Sequence, residues 1–305
     1  MKKIIILAFL ASVLFCLPAG AEECGSKEVY EKAMGLIEQA GSAADFAQKK
    51  NLLQESIGLC ECFSNHYQLG RVLFEQAHAE MSDDLVRQAV KEFEAAFCWS
   101  CNDKEEALAL NELGKAALTQ EENHKAVYYF KMSYERFPDE IVKERLMETQ
   151  ALIARTGSKV SDVRQTLGAE IACQAKPACK QKGAFTPRPL AKPSLDMHIH
   201  FEFNSWALDA TGRQEARVLA DALRDSSFSG KRVLLVGHTD VRGDDSYNLT
   251  LSRKRADAVR SFILYEQNVS GVDILTDGRG EGELISSGQS EQDHALNRRV
   301  EVKIN

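Results

Sequence analysis

The hydrophobic period of the chain changes once, and this change limits the fold more than any other feature. Over residues 27–154, apolar side chains recur at three- and four-residue spacing, which indicates amphipathic helices with short gaps. From residue 195 onward, strand-like runs alternate with helical stripes in the order strand, helix, strand, helix, strand, strand. Such alternation predicts a layered α/β domain. We therefore expect a multidomain protein in which an all-α region precedes an α/β domain of βαβαββ type.

The first residues have the pattern of a secretory signal. Lys2 and Lys3 precede the apolar run at residues 4–18, and Ala19-Gly20-Ala21 supplies small residues for cleavage. We expect a signal peptide at residues 1–21 and export of the mature chain to the periplasm; an uncleaved membrane anchor is the alternative. No later stretch of the sequence is apolar for long enough to span a bilayer.

The overall charge narrows the class of partner. Apolar residues make up 44% of the 305 residues and charged residues 27%, which is typical of a soluble globular protein. The formal net charge is −7. Nucleic acid binding requires a concentrated basic face, and the sequence contains no long basic run. We therefore expect no nucleic acid partner.

A pattern of residues repeats within the predicted helical region, residues 22–155. Its period is about the length of one helical hairpin. Leu113-Gly114 is followed by Ala126, Phe130 and Pro138. An earlier copy has Leu69-Gly70, Ala89, Phe93 and Ala96. This pattern resembles the tetratricopeptide repeat, whose hairpins stack into a solenoid. The resemblance implies a groove that binds a protein partner; a spacer that binds nothing is the alternative.

Prolines and glycines dominate the stretch between the two regions. Four of the six prolines lie there, at Pro177, Pro187, Pro189 and Pro193. Proline-rich segments behave as semi-rigid spacers. We therefore expect a linker at residues 156–194.

The cysteines are expected to form disulfides, because the predicted compartment is oxidising. The expected disulfide cysteines are Cys60, Cys62, Cys98, Cys101, Cys173 and Cys179. The first four lie at the ends of two neighbouring hairpins, and bonds between these hairpins are the simplest account. Zinc bound by all four, or a redox pair in Cys98-Trp99-Ser100-Cys101, is the alternative. The last two are expected to close a small loop with each other.

A carboxylate and a guanidinium are placed to meet in the predicted α/β domain. Asp240 follows the strand-like run that ends at Gly237, and Arg255 lies about two turns into the next helix. If this helix packs along the strand, the arginine side chain reaches the loop that holds Asp240. The two charges suit a zwitterion, whose ammonium pairs with Asp240 and whose carboxylate binds Arg255. Alternatively, the two side chains pair with each other.

The residues around this pair resemble a known family. The pattern GHTD-xx-G-xxx-YN-xx-LS-xx-RA-xx-V begins at Gly237, with HFEFNS before it and NRRVEV after it. It is similar to the OmpA-like peptidoglycan-binding domain, and the resemblance covers residues 195–305. In that family the aspartate and the arginine bind the amino and carboxylate groups of diaminopimelate in the peptidoglycan stem peptide. The resemblance assigns these roles to Asp240 and Arg255.

The same resemblance implies further site residues. It suggests Phe203 and Asn204 as pocket wall and polar contact, although many members carry aspartate in place of Asn204. Val241 and Leu251 are expected to line the site, and Asn248 to organise the loop. Arg298 and Arg299 match the closing NRR motif, where a role in the fold and a ligand contact are both open.

Other chemistries have little support in the sequence. His198 and His200 share one face of the first predicted strand, but two histidines without a third ligand do not make a metal site. No serine, cysteine or carboxylate pair comes with a base at useful spacing. We therefore expect no enzyme activity, no metal and no cofactor. The expected protein is a periplasmic, peptidoglycan-associated anchor or scaffold whose repeats bind a partner. The alternatives are an adaptor of a secretion or motility machine and a redox or metal protein localised to the wall.

Overall fold

A computed structural model of the chain describes residues 24, 26–171, 173, 192–202 and 205–304. The predicted signal peptide at residues 1–21 lies outside these residues, and so do Phe203, Asn204 and Cys179. Within the described ranges, no helix combines the length and the apolar character that crossing a bilayer requires.

Helices account for nearly all of the described chain before residue 168. They are α1 (Lys27–Ser42), α2 (Phe46–Leu59), α3 (Phe63–Glu80), α4 (Asp83–Cys98), α5 (Asp103–Thr119), α6 (Asn123–Arg136), α7 (Glu140–Thr156) and α8 (Val160–Leu167). Side-chain caps fix several helix starts; Asp45, for example, accepts a 2.8 Å hydrogen bond from the backbone N–H of Gln48. Each helix from α1 to α4 packs on the next one along the chain. The apolar stripes that predicted these helices are thereby buried.

Two glycines let neighbouring helices approach closely. A Cβ atom on Gly70 in α3 would lie 2.6 Å from the ring of Phe93 in α4. A Cβ atom on Gly114 in α5 would lie 2.5 Å from the ring of Phe130 in α6. Both rings are fully buried. These are the pairs that the tetratricopeptide-like pattern relates, and the assignment to that repeat family stays a prediction.

The disulfide pairing differs from the prediction. Cys24 is bonded to Cys60, and Cys98 is bonded to Cys173, with Cα–Cα distances of 5.0 and 5.3 Å. The predicted bonds between neighbouring hairpins are therefore wrong, and so is the loop closed by Cys173 with Cys179. Zinc bound by both hairpin ends is also wrong, because Cys60 and Cys98 are held in separate disulfides.

The two remaining predicted cysteines in the described chain behave differently from each other. Cys101 is disulfide-bonded, as predicted. Cys62 remains a thiol, so its prediction as a disulfide cysteine is wrong. Its backbone N–H donates a 3.1 Å hydrogen bond to Asn65 Oδ1 at the start of α3.

A four-stranded mixed sheet forms after residue 192, as the alternating pattern predicts. Its strands are β1 (Ser194–Met197), β2 (Arg232–His238), β3 (Asp273–Gly280) and β4 (Val300–Ile304), arranged in the order β1-β4-β2-β3. Strand β2 is parallel to β3, and β4 is antiparallel to both β1 and β2. The connecting helices are α9 (Ala210–Leu223), α10 (Asp245–Ser261) and α11 (Glu291–Asn297). The short helix α11 and the early end of β1 at Met197 were not predicted.

The core of this sheet also includes a helix from the predicted linker. Val163 and Leu167 of α8 are buried in one apolar cluster with residues of β1, β2, β4, α9 and α10. The prediction of a linker at residues 156–194 is therefore wrong for Val160–Leu167. Asp162 of the same helix accepts a 2.9 Å hydrogen bond from the backbone N–H of His124, near the start of α6.

By spatial proximity the chain divides into two compact units. The first comprises Met1–Gln120, Tyr129–Val142 and Ile171–Leu190, and the second comprises Glu121–Tyr128, Lys143–Glu170 and Ala191–Asn305. The second unit thus adds helical segments to the α/β domain predicted at residues 195–305.

Candidate functional site

The loop after β2 places Asp240 at the carboxyl end of this strand. Gly237 allows α10 to cross the strand closely, since a Cβ there would collide with the backbone carbonyl of Ser252. The loop turns at Gly243, whose φ of 111° favours glycine. Helix α10 then begins after Asp244, whose carboxylate accepts from the N–H groups of the first turn.

Asn248 fixes the conformation of the loop. This side chain is buried. Its Nδ2 atom lies 3.4 Å from the backbone oxygen of Asp240, 3.2 Å from that of Arg242 and 2.7 Å from Glu281 Oε2. The asparagine therefore joins both ends of the turn that presents Asp240.

Asp240 is almost completely buried, and two arginines neutralise its charge. Arg242 donates to Oδ1 through its backbone N–H (3.0 Å) and its Nε (3.2 Å), and to Oδ2 through Nη2 (2.7 Å). Arg298 donates to Oδ2 through Nη1 at 2.8 Å. Burial by itself would raise the pKa of Asp240, but the hydrogen bonds from Arg242 and Arg298 outweigh it and lower that pKa well below its ordinary value. Asp240 is therefore ionised at neutral pH.

Glu291 completes this group of charges. Its two carboxylate oxygens accept from Arg298 Nη2 at 2.8 Å and from Arg242 Nη1 at 2.9 Å. We call Asp240, Arg242, Glu291 and Arg298 the charge cluster. It contains two acids and two bases, so it carries no net charge.

Arg255 lies on the side of α10 that faces the same pocket. Its Nε donates a 3.2 Å hydrogen bond to the backbone oxygen of Ser205, and its guanidinium lies 4.9 Å from the centre of the Phe201 ring. Among the residues that the structure describes, Arg255 forms no ion pair. Burial, and next the charge of Arg298, lower the pKa of Arg255, which still leaves it protonated at neutral pH. Asp240 and Arg255 do not form an ion pair with each other, so that predicted alternative is wrong.

These side chains line one pocket of about 810 Å³ in the second unit. Of the predicted site residues, Asp240, Asn248, Leu251 and Arg255 line it, whereas Val241 is not among its lining residues. Phe203 and Asn204 lie outside the described residues. Arg298, for which a ligand contact was left open, also lines the pocket. Lining residues that were not predicted are Ala154, His198, Ile199, His200, Phe201, Glu202, Thr239, Arg242, Tyr247, Glu291 and Ala295.

The two arginines of the NRR motif have different contacts. Arg298 belongs to the charge cluster at the pocket. Arg299 is buried and donates from Nε to Asp196 Oδ1 at 2.7 Å, and from Nη2 to the backbone oxygen of Glu283 at 3.1 Å. Because β1 carries Asp196 and Arg299 immediately precedes β4, this ion pair holds two neighbouring strands together.

A group of possible metal ligands lies in a different place from the two histidines considered in the sequence. In the described part of the chain, His238, Glu283 and Glu301 bring potential ligand atoms within 4.8 Å of one another. Lys303 Nζ, 2.8 Å from Glu301 Oε2, already supplies a positive charge to this group. His198 and His200 are not members of it.

Comparison with known proteins identifies the family. The sequence model of the OmpA family matches residues 200–298. The peptidoglycan-associated lipoprotein of Pseudomonas aeruginosa is 32% identical over 147 residues, which are 41% of this chain and 87% of that protein. The chain belongs to the OmpA family. Outer membrane porin F of the same organism, another similar protein, is 29% identical over 110 residues, only 31% of its own length.

A solved structure is also similar to this OmpA-family chain. The peptidoglycan-associated lipoprotein from Burkholderia pseudomallei is 29% identical and matches with a TM-score of 0.32. The match covers 38% of this chain and 92% of that structure. Asp240, Arg242, Arg255 and Arg298 all fall within the span that the family model matches, residues 200–298.

Proposed function

We propose that this protein binds peptidoglycan without catalysis, through the diaminopimelate of the stem peptide. Its OmpA-family relatives include peptidoglycan-associated lipoproteins and outer membrane porins. By family, the protein is periplasmic and wall-associated, near the outer membrane. The ligand that we propose is diaminopimelate, and its binding site is the pocket lined by Asp240 and Arg255.

One observation carries the choice of ligand. Asp240 and Arg255 line the same pocket, and Arg255 has no acidic partner among the described residues. A half-buried guanidinium with unused donors favours a carboxylate, which takes two parallel hydrogen bonds. The nearby Asp240 carboxylate favours an ammonium. Diaminopimelate presents both groups on one carbon, so the pocket offers a complementary charge for each.

The first prediction tests both charges with a soluble ligand. We expect Asp240→Asn and Arg255→Ala each to raise the Kd for meso-diaminopimelate about 30-fold or more, because each removes one partner of a desolvated charge. Isothermal titration calorimetry measures this, and sedimentation with purified sacculi repeats it on the polymer. Sacculi whose stem peptides carry lysine in place of diaminopimelate lack the extra carboxylate and should be retained much more weakly.

Matched controls separate the site from general charge effects. Asp245→Asn and Arg253→Ala make the same changes at exposed positions of α10 outside the pocket lining. Both should bind diaminopimelate like the unsubstituted protein. Wild-type affinity in Asp240→Asn and Arg255→Ala would refute the proposed site.

We also propose that the helical region attaches a protein partner. This proposal rests on the repeat-like pattern and on apolar side chains exposed in the first unit, where Met81 exposes 86% and Ile141 58% of its surface. Co-purification tests this proposal. We expect a partner protein to be retained when the first unit is intact and to be lost when that unit is disrupted. Retention in both cases would contradict the proposal.

A further inference from the structure

The acceptor capacity of Asp240 is fully used within the protein. An ionised carboxylate offers about four lone-pair sites. Oδ1 accepts from the backbone N–H and the Nε of Arg242, and Oδ2 accepts from Nη2 of Arg242 and Nη1 of Arg298. An incoming ammonium therefore finds no vacant acceptor on Asp240. One of these donors has to leave before the ligand binds.

The donors differ in how firmly they are held. The backbone N–H of Arg242 is fixed by the turn. Arg298 sits between α11 and β4, and its side chain is 33% exposed. The side chain of Arg242 is 53% exposed and projects from the loop that Gly243 turns. The Arg242 side chain is the donor that leaves at the lowest cost, because it is the most solvated of the three.

Departure of the Arg242 side chain would free a matching set of acceptors. Nε and Nη2 of Arg242 occupy one site on each oxygen of Asp240. An ammonium has three donors and can use both sites. Glu291, 67% exposed, already accepts from Nη1 of Arg242 at 2.9 Å. The guanidinium of Arg242 can therefore keep its ion pair with Glu291 after it leaves Asp240.

We propose that Arg242 is a built-in competitor for the ammonium of the ligand, occupying the Asp240 subsite until a ligand displaces it. This inference rests on the proposed function and adds a residue that sets the affinity of the site. Every ligand whose ammonium binds Asp240 has to displace Arg242, so the competitor weakens the binding of diaminopimelate and of simple amines by a similar factor. A ligand that also gains a contact at Arg255 offsets this cost, whereas a simple amine does not.

The test uses the full mature protein and meso-diaminopimelate in calorimetry. We expect Arg242→Ala and Arg242→Gln to lower the Kd about fivefold, equivalent to about 1 kcal/mol. The Kd for 1-aminopentane should fall by a similar factor, because its ammonium displaces the same side chain. Arg253→Ala, which removes an arginine of similar exposure that pairs with Asp277, is the matched control and should not change the Kd.

Each outcome is distinct. Tighter binding in both Arg242 variants, with Arg253→Ala unchanged, supports the competitor. Unchanged or weaker binding in Arg242→Gln, with a thermal melt like that of the unsubstituted protein, overturns it and makes Arg242 a support or a ligand contact. If neither the unsubstituted protein nor any Arg242 variant binds, the proposed function fails, and the inference fails with it.

Discussion

Two buried histidines link the folding of the second unit to pH. His124 exposes 1% and His198 7% of its surface. Nε2 of His124 lies 2.9 Å from Ser158 Oγ. Burial lowers the pKa of both imidazoles to about 4, although the Asp196 carboxylate acts in the opposite direction. Both rings are therefore neutral in the folded protein at neutral pH.

Acidification should therefore destabilise the second unit. In the unfolded chain a histidine binds a proton at about pH 6.5, whereas in the fold it does so only near pH 4. The free energy of unfolding should be highest above about pH 6.5 and fall by about 3 kcal/mol per histidine as the pH decreases to about 4. Urea denaturation at several pH values measures this fall. His124→Gln should reduce it, and His78→Gln, an exposed control, should not; equal pH dependence in all three proteins would contradict the prediction.

The sequence predicts some members of the site better than others. Asp240, Asn248, Leu251 and Arg255 lie in one local segment, where a strand, a turn and a helix fix their relative positions. The pairing of Asp240 with Arg298 joins residues 58 positions apart, and spacing alone does not predict it. For Arg242 a local signal existed, because an aspartate commonly accepts from the backbone two residues on.

At the scale of helices, contact between a glycine and a phenylalanine ring sets how closely α3 approaches α4. A second contact of this kind sets how closely α5 approaches α6. The ring atoms would lie 2.5–2.6 Å from an added Cβ, so a methyl group must displace a fully buried ring. Displacing a core side chain costs about 1–3 kcal/mol. Alanine returns up to about 1 kcal/mol through its better helix propensity.

We therefore expect Gly70→Ala and Gly114→Ala to lower the free energy of unfolding by about 1–2 kcal/mol. Gly35→Ala in α1 is the control, because no heavy atom lies within 4 Å of its added Cβ. That change should leave stability equal or raise it by up to about 1 kcal/mol. Chemical denaturation measures all three variants. Stabilisation by Gly70→Ala would show that the two helices do not need this close approach.

The elements that the sequence missed are short ones that depend on tertiary contacts. Helix α8 has eight residues, too few to be stable alone, and Val163 and Leu167 become buried only in the core of the α/β domain. The long helices and three of the strands were predictable because each carries its own periodic pattern. Strand β1 ends at Met197 although the alternating pattern continues, and Phe201 forms a further isolated bridge with Leu208.

At the scale of the whole molecule, the described disulfides and the pocket lie in different units. Cys24–Cys60 and Cys98–Cys173 are both in the first unit, with sequence separations of 36 and 75 residues. In the chain-entropy model, closing a loop of the larger size contributes about 4 kcal/mol to stability. All residues that line the pocket belong to the second unit. The two proposed functions can therefore be disrupted separately.

Removing one disulfide should separate partner binding from wall binding. The double variant Cys98→Ala/Cys173→Ala should destabilise the first unit by about 4 kcal/mol, because its unfolded chain regains the freedom of the open loop. We expect this variant to lose the co-purifying partner but to keep its affinity for diaminopimelate. Asp240→Asn should have the reverse effect: it should keep partner binding and lose binding to peptidoglycan. Pull-down on sacculi and calorimetry measure binding to the wall and to diaminopimelate. Mass spectrometry of co-purified protein measures partner binding. Loss of diaminopimelate binding in the cysteine variant would mean that the pocket depends on the first unit, since no pocket residue is changed.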